Sequence, residues 1–282
     1  MTLRKAFVFS HHLARGLAAH YAAIPQVLAV ALAGSLTTGR ADEHSDIDLC
    51  VYSREEVPVE PRRRIGQERG SHVEIDNRFW ETGDEWLERE GGMHVDVVFR
   101  SADFVTDHLS RLLDRHEAGT GYTTAIWHNV RSSEALFDRE GWLAQIKAEA
   151  NRPYPQELAQ AIVARNFPLL RGAIGAYPNQ IALAVRRGDM VAVNHRLTGL
   201  LASYFDVLFA LNRLPHPGEK RLLEVAATLG VVPEHLTTQI EELLSFTPRS
   251  LAEVPGRVAA LVEELGRLLV RQGELERPHE AP

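Results

Sequence analysis

The segment from Val30 to Tyr52 constrains this chain more than any other. It runs Val30-Ala31-Leu32-Ala33-Gly34-Ser35, passes through Leu36-Thr37-Thr38-Gly39-Arg40, and ends in Ser45-Asp46-Ile47-Asp48-Leu49-Cys50-Val51-Tyr52. The first part reads as a buried strand ending in a tight Gly-Ser turn. The second reads as a strand whose Ile47, Leu49 and Val51 fill one face. Asp46 and Asp48 are two apart, so they share the opposite face. Two carboxylates about 5 Å apart repel by about 3 kcal/mol at an effective dielectric of about 20. A divalent cation removes that penalty, and Mg²⁺ typically takes one or two carboxylates together with substrate phosphates.

The turn supplies the other half of a phosphate-handling site. Gly34 has no side chain to block a ligand, Ser35 offers a hydroxyl and an N–H, and the turn is expected to open a helix whose first N–H groups attract anions. Gly-Ser, ten intervening residues and Asp-x-Asp together resemble the signature of the DNA polymerase β-like nucleotidyltransferase superfamily. Gly39, Arg40 and Ser45 also fit its wording in the small antibiotic-modifying and minimal members. The resemblance implies that Gly34, Ser35, Arg40 and Ser45 bind the nucleotide. It implies too that Asp46 and Asp48 hold metal, two Mg²⁺ ions with bound NTP.

The resemblance also requires a third acid on a neighbouring strand, with two candidates. Asp96 lies in His94-Val95-Asp96-Val97-Val98-Phe99-Arg100, and Glu74 or Asp76 in His72-Val73-Glu74-Ile75-Asp76. Asp96 is favoured: it sits among valines, where an uncompensated charge is costly, and Ser101-Ala102-Asp103 follows as the family's strand-to-helix junction would. Asp46, Asp48 and Asp96 are therefore the expected catalytic and metal-holding residues. The implied activity is transfer of a nucleoside monophosphate from an NTP, expected to be ATP, to a hydroxyl of a small-molecule acceptor, with release of pyrophosphate.

Beyond about residue 145 the pattern turns helical, with apolar stripes over 158–170, 181–185, 190–211, 219–229, 233–245 and 251–272. Arg187-Gly188-Asp189 reads as helix end, C-terminal glycine and next N-cap, and the polar tail from Gly273 is expected to fray. The expected fold is α+β: a small mixed-sheet nucleotidyltransferase domain over 1–145, then an all-α helical bundle over 146–282. In layout this is closest to the aminoglycoside- and lincosamide-type nucleotidyltransferases. Within the first domain, 55–70 reads as a loop with at most one short helix. Strands are expected at 72–80 and 94–99, with a turn and a short helix between them around Gly83-Asp84-Glu85. Lys220, in the Pro-rich corner Leu214-Pro215-His216-Pro217-Gly218-Glu219-Lys220, is expected at a helix start, where it either reaches the β- and γ-phosphates or stands in a solvent-exposed corner.

Net charge is −7, which argues against an extended nucleic-acid footprint and suits cationic small molecules. The one basic cluster, Arg62-Arg63-Arg64 with Arg69, reads as a solvated loop or helix face. No apolar run reaches about 18 residues, so no membrane span is expected. The first residues show no signal-peptide pattern, and Cys50 is the only cysteine, so a cytoplasmic protein without disulfides is expected. The histidines show no metal-ligand spacing, no zinc site is expected, and His72 and His94 are placed at strand ends. Two other functions are weighed: nucleotidylation of a protein partner, as in antitoxin-type members, and a nucleotide-binding regulatory module without chemistry. The size of the helical half argues against the first, and the three acids against the second.

Overall fold

The strand–turn–strand segment lies at the centre of a six-stranded mixed sheet. The computed structural model describes residues 3–42 and 45–275, so most of the tail expected to fray falls outside the described residues. The elements run α1 (Leu3–Ala22), β1 (Val27–Leu32), β2 (Ile47–Ser53), α2 (Val59–Arg69), β3 (Gly70–Asn77), β4 (Gly83–Glu88), β5 (His94–Ser101), α3 (Ala102–Leu113), α4 (Ala125–Ser132), β6 (Glu134–Asp138) and α5 (Trp142–Ala150). The helical half follows as α6 (Gln156–Leu170), α7 (Tyr177–Arg186), α8 (Met190–Leu211), α9 (Leu222–Ala226), α10 (Leu236–Leu244) and α11 (Val254–Arg271). No helix among the described residues is long and apolar enough to cross a membrane.

The chain divides into two compact units, residues 1–110 with 126–152, and residues 111–125 with 153–282. The boundary expected at 145–146 falls inside α5; contacts place it at 152–153 and assign 111–125 to the helical unit.

In the first unit the strand order is β3-β4-β5-β2-β1-β6. Only β2 and β5 pair in parallel; every other neighbour is antiparallel. Helices α1 and α2 cover one face, packing Leu17 and Ile65 into one core with Ile47, Leu49, Val95, Val97 and Trp86. The period of two then sends Asp48, Asp96 and Glu85 to the other face.

Residues 59–69 and 83–88 depart from the sequence expectation. Residues 59–69 are an 11-residue helix rather than a loop with at most one short helix, with Pro61 tolerated in its first turn. Residues 83–88 are strand β4 rather than a turn and short helix. One buried ion pair joins them. Arg62, 1% exposed, donates through Nε to Asp84 Oδ2 at 2.9 Å and through Nη2 to Oδ1 at 2.6 Å. Its guanidinium lies 4.0 Å from the centre of the Phe99 ring, while Arg63 and Arg64 are exposed near Glu60. The basic cluster is thus not a uniform solvated face.

In the helical unit, Arg187 ends α7, Gly188 follows with φ +67°, and Asp189 caps α8 by accepting the Ala192 N–H. The α11 stripe of Val254, Val258, Leu261, Leu265 and Leu268 is buried as its spacing requires.

Candidate active site

The Gly-Ser turn is a three-residue 3-10 turn, Gly34–Leu36, rather than the opening of a longer helix. It is held from within: Thr37 Oγ1 donates to the Gly34 carbonyl at 3.1 Å, and the Arg40 N–H to the Ser35 carbonyl at 3.3 Å. Gly34 has φ +69°, and a Cβ there would stand 1.8 Å from Asp48 Oδ2. The space left by its missing side chain is therefore filled by the Asp48 carboxylate. The Ala33 N–H donates to the Asp48 carbonyl at 2.9 Å, so turn and acid strand are bound through backbone as well. Ser45, just before Asp46, accepts through Oγ from the Asp42 N–H at 2.8 Å.

The parallel register sets Asp48 directly opposite Asp96. The antiparallel register sets Asp96 opposite Glu85, and Glu85 opposite Glu74. Four carboxylates thus form one row across four strands on the face away from α1 and α2. Adjacent strands lie about 4.8 Å apart, so Glu74 is about 14 Å from Asp48 along the row. Asp46 stands one residue before β2. His94, two residues before Asp96, brings Nδ1 to 3.7 Å from Asp46 Oδ2 and Nε2 to 3.4 Å from Glu85 Oε2. Glu85 also accepts from Asn77 Nδ2 at 2.9 Å.

Further along the same face the side chains are packed together. Arg100 donates to both oxygens of Glu81 at 2.7 Å, and its Nη1 stands 3.8 Å from Cys50 Sγ. The Arg100 bonds hold the Glu81 carboxyl below the usual carboxylate range. Burial pushes the Cys50 thiol up, which fits its reading as a small buried hydrophobe. The Tyr52 ring packs 5.2 Å from that of Trp142 in α5.

Asp46, Asp48, Asp96, Gly34, Ser35, Arg40 and Ser45 all lie in the first unit. Lys220 lies in the second, exposed in the turn before α9. That helix is Leu222–Ala226, with Arg221 as its N-cap, so Lys220 does not open the longer 219–229 helix expected. Sequence reasoning placed His94 only at a strand end and missed Glu85. A signal for His94 was present, since His94-Val95-Asp96 repeats the polar–apolar–polar spacing of Asp46-Ile47-Asp48.

Among the described residues, no three His, Cys, Asp or Glu side chains already form a metal-holding group. The donor set nevertheless fits a hard cation. Asp48 and Asp96 present carboxylate oxygens from adjacent strands, and Mg²⁺ commonly binds through one or two carboxylates, taking its remaining oxygens from water and substrate phosphates.

Residues 19–117 match the model of the nucleotidyltransferase domain family. The match runs from within α1 through the segment after α3, and so contains the turn and the whole acid row. At this level the resemblance drawn from the Gly-Ser and Asp-x-Asp motif holds; the aminoglycoside-type subfamily is not separately matched. No curated protein matches the chain. Among solved structures, it is similar to a nucleotidyltransferase-like protein from Exiguobacterium sibiricum 255-15, with 15% identity, 95% of this chain and 81% of that one covered, and a TM-score of 0.43. It is also similar to a STING-associated CdnE c-di-GMP synthase from Capnocytophaga granulosa, with 12% identity, 96% and 82% covered, and a TM-score of 0.31. A third is the Thermotoga maritima CCA-adding enzyme complexed with tRNA, with 12% identity, 95% and 84% covered, and a TM-score of 0.33.

Proposed function

We propose that this chain transfers a nucleoside monophosphate from an NTP, with ATP the expected donor, to a hydroxyl of a small-molecule acceptor, releasing pyrophosphate. The register that sets Asp48 against Asp96, with the Gly34-Ser35 turn packed on Asp48, carries the reading. Like charges directly opposite one another in a sheet are destabilising, so the arrangement makes sense where a positively charged ligand offsets it. The domain match over residues 19–117 supports the transfer chemistry.

In this reading Asp46, Asp48 and Asp96 hold divalent cations, Mg²⁺ being the expected ion. Such an ion, when bound, offsets charge on the triphosphate and on the attacking oxygen. The protein's own share is positioning and electrostatics. Asp48 and Asp96 stand on backbone fixed by the sheet ladder, and the turn offers the Ser35 hydroxyl and N–H to phosphate oxygens, with Arg40 and Ser45 in the flanking loop. Asp96 takes the role the superfamily gives its third acid, orienting the acceptor hydroxyl for in-line attack on the α-phosphorus. A net charge of −7 favours a cationic acceptor, such as an aminoglycoside-type antibiotic.

The test is pyrophosphate release with each common NTP and Mg²⁺ against a panel of hydroxylated small molecules, run beside Asp48→Asn. The expected result is release that requires NTP, Mg²⁺ and acceptor together and is lost in the variant. Release by Asp48→Asn at the wild-type rate, or none with any acceptor, would overturn the reading.

A further inference from the structure

Of the carboxylates Asp46, Asp48 and Asp96, Asp46 has the least support from its own backbone. Asp48 and Asp96 are ladder partners, whereas β2 begins at Ile47 and leaves Asp46 just outside it. The side chain that meets the Asp46 carboxylate is His94, with Nδ1 at 3.7 Å, and the opposite ring nitrogen stands 3.4 Å from Glu85. Glu85 is bonded in turn to Asn77 at 2.9 Å. The contacts run from β3 through β4 and β5 to the residue before β2, all on the face that carries Asp48 and Asp96. The parallel register that brings Asp48 to Asp96, continued two residues back and so one beyond its first pair Ile47–Val95, brings Asp46 to His94. The two nitrogens of an imidazole face different directions, so this one ring reaches acids on both neighbouring segments.

We propose that His94 is a positioning residue for Asp46, with Glu85 and Asn77 fixing the ring from behind. This rests on the reading of Asp46 as a metal-holding carboxylate. A carboxylate on loop backbone loses rotamer freedom when it engages a cation. A side chain that already confines it removes part of that loss. Partners of this outer kind typically carry about 10- to 100-fold of metal affinity.

The experiment reads metal binding without turnover: Mn²⁺ uptake by the full chain with a non-hydrolysable NTP analogue, followed by electron paramagnetic resonance. The proteins are wild type, Asp48→Asn, His94→Ala, His94→Asn and His94→Gln. An Asn amide nitrogen falls near the place of Nδ1 and a Gln amide nitrogen near that of Nε2, so only Asn restores the group facing Asp46. His94→Ala should weaken Mn²⁺ binding roughly tenfold, His94→Asn should return it to within about threefold of wild type, and His94→Gln should behave like Ala. Wild-type binding in His94→Ala, or rescue by Gln as good as by Asn, overturns the positioning role while the loss in Asp48→Asn stands. Undiminished binding in Asp48→Asn, or no uptake by wild type, overturns the metal reading and the role of His94 with it.

Discussion

Two groups of acids on opposite faces of one sheet are held in different ways. Under α2, Asp84 and Arg62 are both at most 1% exposed, and each oxygen of Asp84 accepts a guanidinium N–H. Asp84 Oδ1 takes the Asp76 N–H as well, at 2.9 Å. On the other face Asp48, Asp96 and Glu85 stand acid opposite acid, partly exposed. A buried carboxylate meeting its counter-charge is what a core tolerates. Acids in register next to solvent are what a cationic ligand needs. The difference separates an acid buried against its counter-charge from acids set in register near solvent.

The largest effect should come from breaking the buried pair. Arg62→Ala leaves Asp84 as an uncompensated charge and should cost about 3–5 kcal/mol in denaturant unfolding. Replacing both partners with apolar residues of similar volume should recover much of that loss. A single-variant loss below about 1 kcal/mol, typical of an exposed pair, would erase the contrast between the faces.

A third carboxylate sharpens the comparison, because it is buried with neutral donors. Asp206, 1% exposed, accepts from the Thr123 N–H at 3.0 Å, Thr123 Oγ1 at 2.6 Å and Asn166 Nδ2 at 3.3 Å. Burial outweighs these bonds and pushes its pKa from 3.8 to about 6. Between those values the folded chain binds more protons at this site than the unfolded chain. Its contribution to stability is therefore greatest below the window, declines as pH rises through it, and is flat above. The decline amounts to about 3 kcal/mol. Asp206→Asn removes it, so the variant should gain on wild type by about 2 kcal/mol between pH 4 and pH 6.5. Urea unfolding at both pH values checks this, and a constant difference between the two proteins would refute it.

On the open face, effects should fall on activity and spare stability. Asp48→Asn should lower kcat at least roughly 100-fold, or about 2.7 kcal/mol. Its melting temperature should change little, because relief of the repulsion with Asp96 offsets the contacts the carboxylate loses. A melting loss like that of Arg62→Ala would mean the acid row is structural. Gly34→Ala should act through the same carboxylate, since its Cβ would stand 1.8 Å from Asp48 Oδ2 and displace it. A kcat/KM loss of about tenfold is expected, with about 1–2 kcal/mol of destabilisation from the left-handed backbone; unchanged kcat/KM would detach the turn from the site.

The same contrast explains what could be read from the sequence. The strand before the Gly-Ser turn, the strand bearing Asp48, the strand bearing Asp96 and the long helices follow apolar periodicity, and the sequence expectation places them where they occur, although the turn opens no longer helix and Asp46 falls just outside its strand. Two of the elements misread, α2 and β4, hide polar side chains. In α2 the inward positions include Arg62, and in β4 they are Asp84, Trp86 and Glu88. Each is legible only with its partner, Arg62 with Asp84 and Glu88 with Arg69, and a binary pattern does not show pairings made in three dimensions. Once β4 is lost, so is Glu85, whose place in the row exists only because Asp84 turns inward.

The smallest effect is expected at Glu74, and it decides which acid completes the site. Glu74 is exposed on the edge strand β3, opposite Glu85. It stands about 10 Å from Asp96 and about 14 Å from Asp48 by strand spacing, whereas Mg²⁺–oxygen distances are about 2.1 Å. One cation cannot span Glu74 and Asp48. Its charge acts only through solvent, over more than the Debye length of about 8 Å at physiological ionic strength. Glu74→Ala should therefore change kcat/KM by less than about twofold, which is under 0.5 kcal/mol. Asp96→Ala should abolish transfer while NTP–Mg²⁺ binding persists in part through Asp46 and Asp48. Steady-state pyrophosphate release and nucleotide titration on both variants check the order. Were Glu74 the more damaging of the two, the third acid would move to the edge strand, and facing register would no longer identify the carboxylates that act together.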